Sequence, residues 1–293
     1  MGARDTFASP LAHIAEGTRE YSFMAADFER VRQLIYARAG ISLNDSKQNM
    51  VYSRLARRLR ALGINQFADY LHRLEVDAAF IEQESQEFIN ALTTNLTSFY
   101  REAHHFPILA EFLSVRAGGA PPRVWCAAAS TGEEPYTIAM TMIETLGVAT
   151  TARLLATDID TRVLATAAAG VYKTDGTSGC GDARLRRFFL RGKGENEGKV
   201  RLRSELANVV QFATLNLLHD DWRTVRNFAP QLDAVFCRNV MIYFDKPTQR
   251  KVVARIAHVL APGGLLFVGH SENFTDCRDA FVLRGKTVYE RRS

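Results

Sequence analysis

The stretch Arg123-Val-Trp-Cys-Ala-Ala-Ala-Ser-Thr-Gly-Glu-Glu-Pro-Tyr-Thr-Ile-Ala-Met140 joins an apolar strand to a helix through a loop of small residues. In α/β folds such a junction is where nucleotides bind. Ala127, Ala128, Ala129 and Gly132 leave the backbone uncovered, so a ligand can lie against the loop. Glu133 and Glu134 open the helix with Pro135 in its first turn, where carboxylates suit the helix dipole and the missing N–H costs nothing. Phosphate is badly served here: phosphate-cradling loops end in Lys-Ser/Thr or keep a G-x-G-x-x-G spacing, and this loop has one glycine and two acids. A cationic or hydroxyl-rich ligand fits better. Asp158 ends the apolar run Leu154-Leu-Ala-Thr-Asp158, 26 positions after Gly132. An acid there suits ribose hydroxyls, and with Asp160 beside it the same residue suits a cap for the next helix.

Other chemistries find little support. The four cysteines, Cys126, Cys180, Cys237 and Cys277, are far apart with no C-x-x-C spacing, which implies unpaired thiols in a reducing compartment and no metal site. The seven histidines form no triad with the scattered serines; His104-His105 and His270 read as structural. Adjacent Glu133 and Glu134 point in different directions on a helix, which makes them poor partners for paired acid/base work.

The elements that must hold these residues fall into two patterns. Residues 1–20 lack periodicity and read as a mobile arm. Residues 21–92 read as a small all-helical domain, with Phe28, Val31, Leu34 and Ile35 on one stripe and Val51, Leu55, Leu59 and Leu62 on the next. Residues 93–122 read as a connecting helix and a linker, ending in the Gly- and Pro-rich run Arg116-Ala-Gly-Gly-Ala-Pro-Pro122. Residues 123–293 then alternate strand and helix. Strands are expected at Val124–Ala127, Leu154–Thr157, Val209–Thr214, Ala234–Cys237 and Leu265–Val268, and helices at Pro135–Leu146, Thr161–Ala169 and Thr248–Leu260. This is an α/β fold with a mostly parallel sheet, interrupted at 171–206 by an insertion that reads as antiparallel. At 293 residues the chain has room for two domains. The net charge of +5 equals the excess in Lys47 to Ala68, which holds Lys47, Arg54, Arg57, Arg58 and Arg60 and no acid. No run approaches a membrane span of about 18 residues and the first twenty lack a signal-peptide pattern, so a cytoplasmic location and no membrane insertion are expected.

Leu260-Ala-Pro-Gly-Gly-Leu-Leu-Phe-Val268, followed by a closing strand over Phe281 to Arg291, resembles the end of class I S-adenosylmethionine-dependent methyltransferases. Four segments carry a sharper resemblance: Asn95-Leu-Thr-Ser-Phe-Tyr-Arg-Glu102, Ser130-Thr-Gly-Glu-Glu-Pro-Tyr136, Cys237-Arg-Asn-Val-Met-Ile-Tyr-Phe244 and Gly269-His-Ser-Glu-Asn-Phe274. Together they resemble the chemotaxis receptor glutamate O-methyltransferase (CheR) family over about residues 23 to 291. The resemblance implies a class I methyltransferase Rossmann-like sheet, a helical receptor-docking domain and a β-subdomain insertion. S-adenosylmethionine is the implied methyl donor, with cofactor contacts at Asn95, Thr97, Arg101, Glu133, Asp158, Asn216, Leu217, Arg238 and Asn239. Asp158 is assigned to the ribose, Glu133 to the amino acid end and Asn216-Leu217 to the adenine. Arg101 and Tyr243 are the expected catalytic pair near the transferred methyl.

On an ideal helix Lys47, Arg54, Arg57 and Arg58 fall within an arc of about 100° beside the apolar stripe. By resemblance this cationic face docks on the methylation helices of chemotaxis receptors, and Arg191 to Arg203 forms a loop that captures a receptor's C-terminal tether peptide by strand addition. Two other readings compete: a nucleic-acid methyltransferase and a cofactor-binding signalling scaffold without turnover. No aromatics interleave the arginines and no Asn/Asp-Pro-Pro-Tyr motif is present, so no nucleic-acid partner is expected. Arg101, Asp158, Arg238 and Tyr243 argue against a scaffold.

Overall fold

A computed structural model of the chain describes residues 19–116, 119–274 and 278–293. The expected arm therefore lies outside the described residues except at its end. There Arg19 donates to Asn49 and Glu20 pairs with Arg60.

Four helices form the N-terminal unit: α1 (Ala25–Ala39), α2 (Gln48–Leu62), α3 (Phe67–Val76) and α4 (Ala78–Leu92). Their apolar stripes meet in one core containing Val31, Ile35, Val51, Leu55, Leu59, Phe67, Tyr70, Leu71 and Phe88. Gly40 and Gly63 end α1 and α2 in left-handed conformations, as the sequence implied.

The second unit contains α5 (His105–Arg116), β1 (Arg123–Cys126), α6 (Glu133–Leu146), β2 (Arg153–Asp158) and α7 (Thr161–Ala169). It continues through β3 (Val171–Lys173), α8 (Gly181–Phe188), β4 (Phe189–Arg191), β5 (Lys199–Leu202), α9 (Ser204–Ala207), β6 (Val210–Thr214) and α10 (Arg223–Phe228). The last elements are β7 (Leu232–Phe236), α11 (Lys246–Val259), β8 (Leu260–Phe267), β9 (Phe281–Gly285) and β10 (Val288–Arg291). Seven strands form the main sheet in the order β6-β2-β1-β7-β8-β10-β9, parallel through β8 and antiparallel from there on. Alternate residues of each strand enter opposite cores: Val124, Leu154, Ala234 and Leu265 on one face, Trp125, Leu155, Val235 and Leu266 on the other.

Two expectations change and a third holds. Residues 93–122 are not a passive connection, because α5 buries Phe106, Leu109 and Leu113 in the sheet's own core against α6. The closing strand is a hairpin, β9 and β10, turned at Lys286-Thr287, both with positive φ. The insertion is the antiparallel sheet β3-β5-β4, as expected, with α8 and short 3₁₀ turns added to it.

The two units are pinned together. Asn90 Nδ2 donates to Thr161, Gln86 Nε2 to the Ile159 carbonyl, and Ser42 N–H to the Tyr243 carbonyl at 2.8 Å. A Cβ at Gly40 would lie 2.6 Å from a methyl of Leu218, so the end of α1 approaches the sheet unit as only glycine allows.

Candidate active site

A cavity of about 350 Å³ opens at the carboxyl ends of β1, β2, β6 and β7, where open α/β sheets bind ligands. The helical unit closes its other side with Ala39, Ile41, Leu43, Lys47 and Met50. Of the expected cofactor residues, Asn95, Thr97, Arg101, Asp158, Asn216, Leu217, Arg238 and Asn239 all line it, as does Tyr243.

Glu133 does not line the cavity; its carboxylate accepts from the Thr131 hydroxyl at 2.6 Å, and Glu134 takes the lining position. The cause lies in the turn of the helix: adjacent residues face about 100° apart, so only one of two consecutive acids can face inward. Gly132, also read as room for a ligand, is absent from the lining. Its φ is +101°, and a Cβ there would meet the Tyr172 hydroxyl at 2.6 Å and Ala167 at 2.9 Å. This glycine serves packing within the chain; Ala127, Ala128 and Ser130 are the small residues that leave the cavity open.

Of the two acids at the end of β2, the one that caps the next helix is Asp160 and not Asp158. Asp160 caps α7, accepting from Arg162 N and Val163 N. Its other oxygen receives Thr93 Oγ1 at 2.6 Å and Asn95 Nδ2 at 2.8 Å. Asp158 turns to the cavity, with its oxygens accepting from Ser130 N at 2.8 Å and Asp160 N at 2.9 Å. Burial pushes the Asp158 carboxyl up to about 6 against those N–H groups, and each oxygen keeps a lone pair for a ligand hydroxyl.

Arg238 is 3% exposed and sits at the centre of a polar cluster. It pairs with Glu134 at 2.8 Å, donates to the Arg101 carbonyl at 2.6 Å and lies 3.4 Å from Glu102. Its buried Nε has no hydrogen-bond partner among the described residues. Burial raises the Glu134 carboxyl while the guanidinium opposes that rise. Burial would also raise Glu102, but hydrogen bonds from His270 and Asn239 and the Arg238 charge outweigh it and hold the carboxyl near 2. His105 is fully buried, and its Nε2 contacts the Lys286 carbonyl at 2.9 Å.

Sequence reasoning left Glu272 without a role, although it lies in a motif singled out above. Its buried carboxylate accepts from the backbone N–H of Gly269, Asn239, Val240 and Met241 at 2.6–3.0 Å. It thereby fixes the loop that carries Arg238, Asn239 and Tyr243. No local pattern signals such a carboxylate; only its place in the fourth motif does. Asn239 and Ser130, both lining the cavity, and Tyr100 and Glu102, on either side of Arg101, all have positive φ. Strain of this kind is held by surrounding contacts and gathers at functional sites.

Three polar residues are more committed than their sequence suggests. Asn216 Nδ2 donates to the Arg38 carbonyl at 2.7 Å and its Oδ1 accepts from Leu218 N, so this side chain also ties the two units. Arg54 donates to the Thr93 carbonyl. Arg58 is held by Glu84 through two hydrogen bonds, at 2.8 and 2.5 Å, and Tyr70 completes the buried group. Of the expected substrate-binding face of Lys47, Arg54, Arg57 and Arg58, Arg58 turns toward the acids of α4, and Lys47 and Arg57 remain exposed. No helix among the described residues is long and apolar enough to cross a membrane.

Residues 95–289 match the family model described as CheR methyltransferase, SAM binding domain, and residues 26–93 match CheR methyltransferase, all-alpha domain. A chemotaxis protein methyltransferase of Escherichia coli (strain K12) is 52% identical over 273 residues, covering 93% of each chain. Chemotaxis protein methyltransferase 2 of Pseudomonas aeruginosa (PAO1) is 48% identical over 275 residues, covering 93% of this chain and 95% of its own. The cavity suits S-adenosylmethionine chemically. Carboxylates Asp158 and Glu134 suit its hydroxyls and ammonium, Arg238 brings a cation to the same wall for its carboxylate, and Leu215, Leu217 and Phe244 offer an apolar wall for its adenine.

Proposed function

The chain belongs to the CheR methyltransferase family, and from that premise we propose that it esterifies glutamate side chains of chemotaxis receptors with the methyl group of S-adenosylmethionine. The observation that carries this reading is the convergence of Asn95, Arg101, Asp158, Arg238 and Tyr243, from three separate segments, on one cavity with an open mouth. S-adenosylmethionine supplies an electrophilic methyl on a positively charged sulfur. The acceptor carboxylate is already an anion at neutral pH, so the chain need not furnish a strong base. Its work is to bind, orient and exclude water.

Asp158 holds the ribose and Arg238 the amino acid end, with Asn95 and Asn239 beside them. Arg101 stands half-buried at the mouth with one Nη on the Leu96 carbonyl at 2.8 Å, leaving further donors for an acceptor carboxylate. The Tyr243 hydroxyl, 3.5 Å from the Thr94 carbonyl, can turn to the second carboxylate oxygen. Lys47 and Arg57 draw in glutamate-rich helices, and the free edge of β4 in the insertion receives a receptor tether strand.

Labelled cofactor and a receptor cytoplasmic fragment test the reading. Base-labile label should appear on the fragment, vanish from its Glu→Ala variants, and form roughly tenfold to a hundredfold more slowly in single turnover with Arg101→Ala or Tyr243→Phe. Label in nucleic acid, or cofactor binding with no transfer, would reject it.

A further inference from the structure

Two aliphatic side chains flank the mouth of the cavity and face water. Leu96 is 81% exposed and Ile242 is 50% exposed, and both line the opening alongside Arg101 and Tyr243. Burying such a side chain is worth about 1.5–3 kcal/mol, so a chain free to rearrange would turn them inward.

Neither segment is free. Around Leu96, Thr93 Oγ1 and Asn95 Nδ2 are held by Asp160. The Asn95 carbonyl accepts from Ser130 Oγ at 2.9 Å and the Leu96 carbonyl from Arg101 at 2.8 Å. Around Ile242, the N–H groups of residues 239–241 are gathered by Glu272. Gln249 Nε2 donates to the Met241 and Phe244 carbonyls, and Ser42 N–H to that of Tyr243. Two well-held segments thus each present one exposed aliphatic group at the lining of the same opening.

We propose that Leu96 and Ile242 bracket the acceptor, gripping aliphatic or small residues one helical turn from the modified glutamate on an amphipathic, acidic receptor helix. This rests on the function proposed above. The occupant follows from the surroundings. Lys47, on the same rim, and Arg57, further along α2, are exposed cations without a partner among the described residues, which favours an acidic segment. Two apolar contacts either side of a buried carboxylate match the i, i+3 and i+4 spacing of a helix. Specificity for the flanking residues would then come from Leu96 and Ile242, while Arg101 and Tyr243 act on the carboxylate itself.

Steady-state methylation of a receptor cytoplasmic fragment, with S-adenosylmethionine affinity measured separately by calorimetry, tests the assignment. Leu96→Ser and Ile242→Ser should each raise KM for the fragment about fivefold and together about 25-fold, as expected for withdrawing part-buried aliphatic groups. Cofactor Kd should stay within about twofold, and Leu96→Met and Ile242→Leu should restore KM. An unchanged KM in the double variant overturns the proposal while the function stands. So does a cofactor Kd that rises in step with KM, which would make these residues a cover for the cofactor. Wild-type protein that transfers no methyl to the fragment removes the function and this proposal with it.

Discussion

Arg238 and Glu134 meet at 2.8 Å in the wall between the cavity and the sheet, with both side chains less than one-tenth exposed. A buried pair of this kind adds little net stability but is damaging to break, because the surviving charge has no water to turn to. Arg238→Met should therefore destabilise the ligand-free protein by about 3–5 kcal/mol. Adding Glu134→Gln to that variant should recover part of the loss. Urea denaturation of the two single variants and the double measures the coupling; strictly additive losses would mean that the pair does not act as a unit.

Glu272 does not line the cavity, yet four backbone N–H groups converge on it. Glu272→Gln keeps the size but replaces one acceptor oxygen by a donor and removes the charge, so at least one of those N–H groups loses its partner. The expected cost is about 2 kcal/mol of stability, accompanied by weaker cofactor binding because Arg238 and Asn239 ride on the same loop. Calorimetric titration against a cavity-distant variant of equal stability loss separates the two effects. Equal cofactor affinity in both would make Glu272 a stability residue only.

The parallel strands were legible because apolar runs of four to six residues alternate with amphipathic helices, and the cavity residues were legible through motif resemblance rather than spacing. What escaped was decided by contacts far apart in sequence. Glu134 rather than Glu133 faces inward because of the helix phase fixed by packing of Tyr136 and Ile138. Arg58 looks like its neighbours on a helical projection, but the partner that claims it, Glu84, lies 26 residues away. The Gly132 conformation answers to Tyr172 and Ala167, which arrive from another helix and strand. Nor does a sequence pattern reveal that α5 belongs to the sheet, since its burial is defined by the strands it covers.

Burial raises Asp158 from 3.8 to about 6 in the ligand-free fold. The folded state then binds the proton more tightly than the unfolded chain. This group's contribution to stability, on the order of 3 kcal/mol, is complete below about pH 4 and is lost as pH rises through 6. Cofactor binding should run the other way, because a ribose hydroxyl donates to the ionised carboxylate. Cofactor Kd should be flat above about pH 7 and climb toward tenfold per unit below 6, and Asp158→Asn should bind more weakly but without that climb. Calorimetry from pH 5 to 8 decides; a flat wild-type profile would remove Asp158 from the ribose.

Arg57 and Arg58 are neighbours on α2 with opposite fates. Arg58 is held in a buried group with Glu84 and Tyr70, and Arg57 is exposed and without a partner among the described residues. Arg58→Ala strands the Glu84 carboxylate, whose side chain is 3% exposed, and should lower stability by about 3 kcal/mol. Arg57→Ala should leave stability within about 0.5 kcal/mol but slow association with an acidic receptor fragment and flatten its salt dependence. Thermal unfolding and association rates at two ionic strengths check both arms. If Arg58→Ala weakened receptor association while folding normally, the docking face would include it after all; if Arg57→Ala left association and its salt slope untouched, the cationic face of α2 would lose its role.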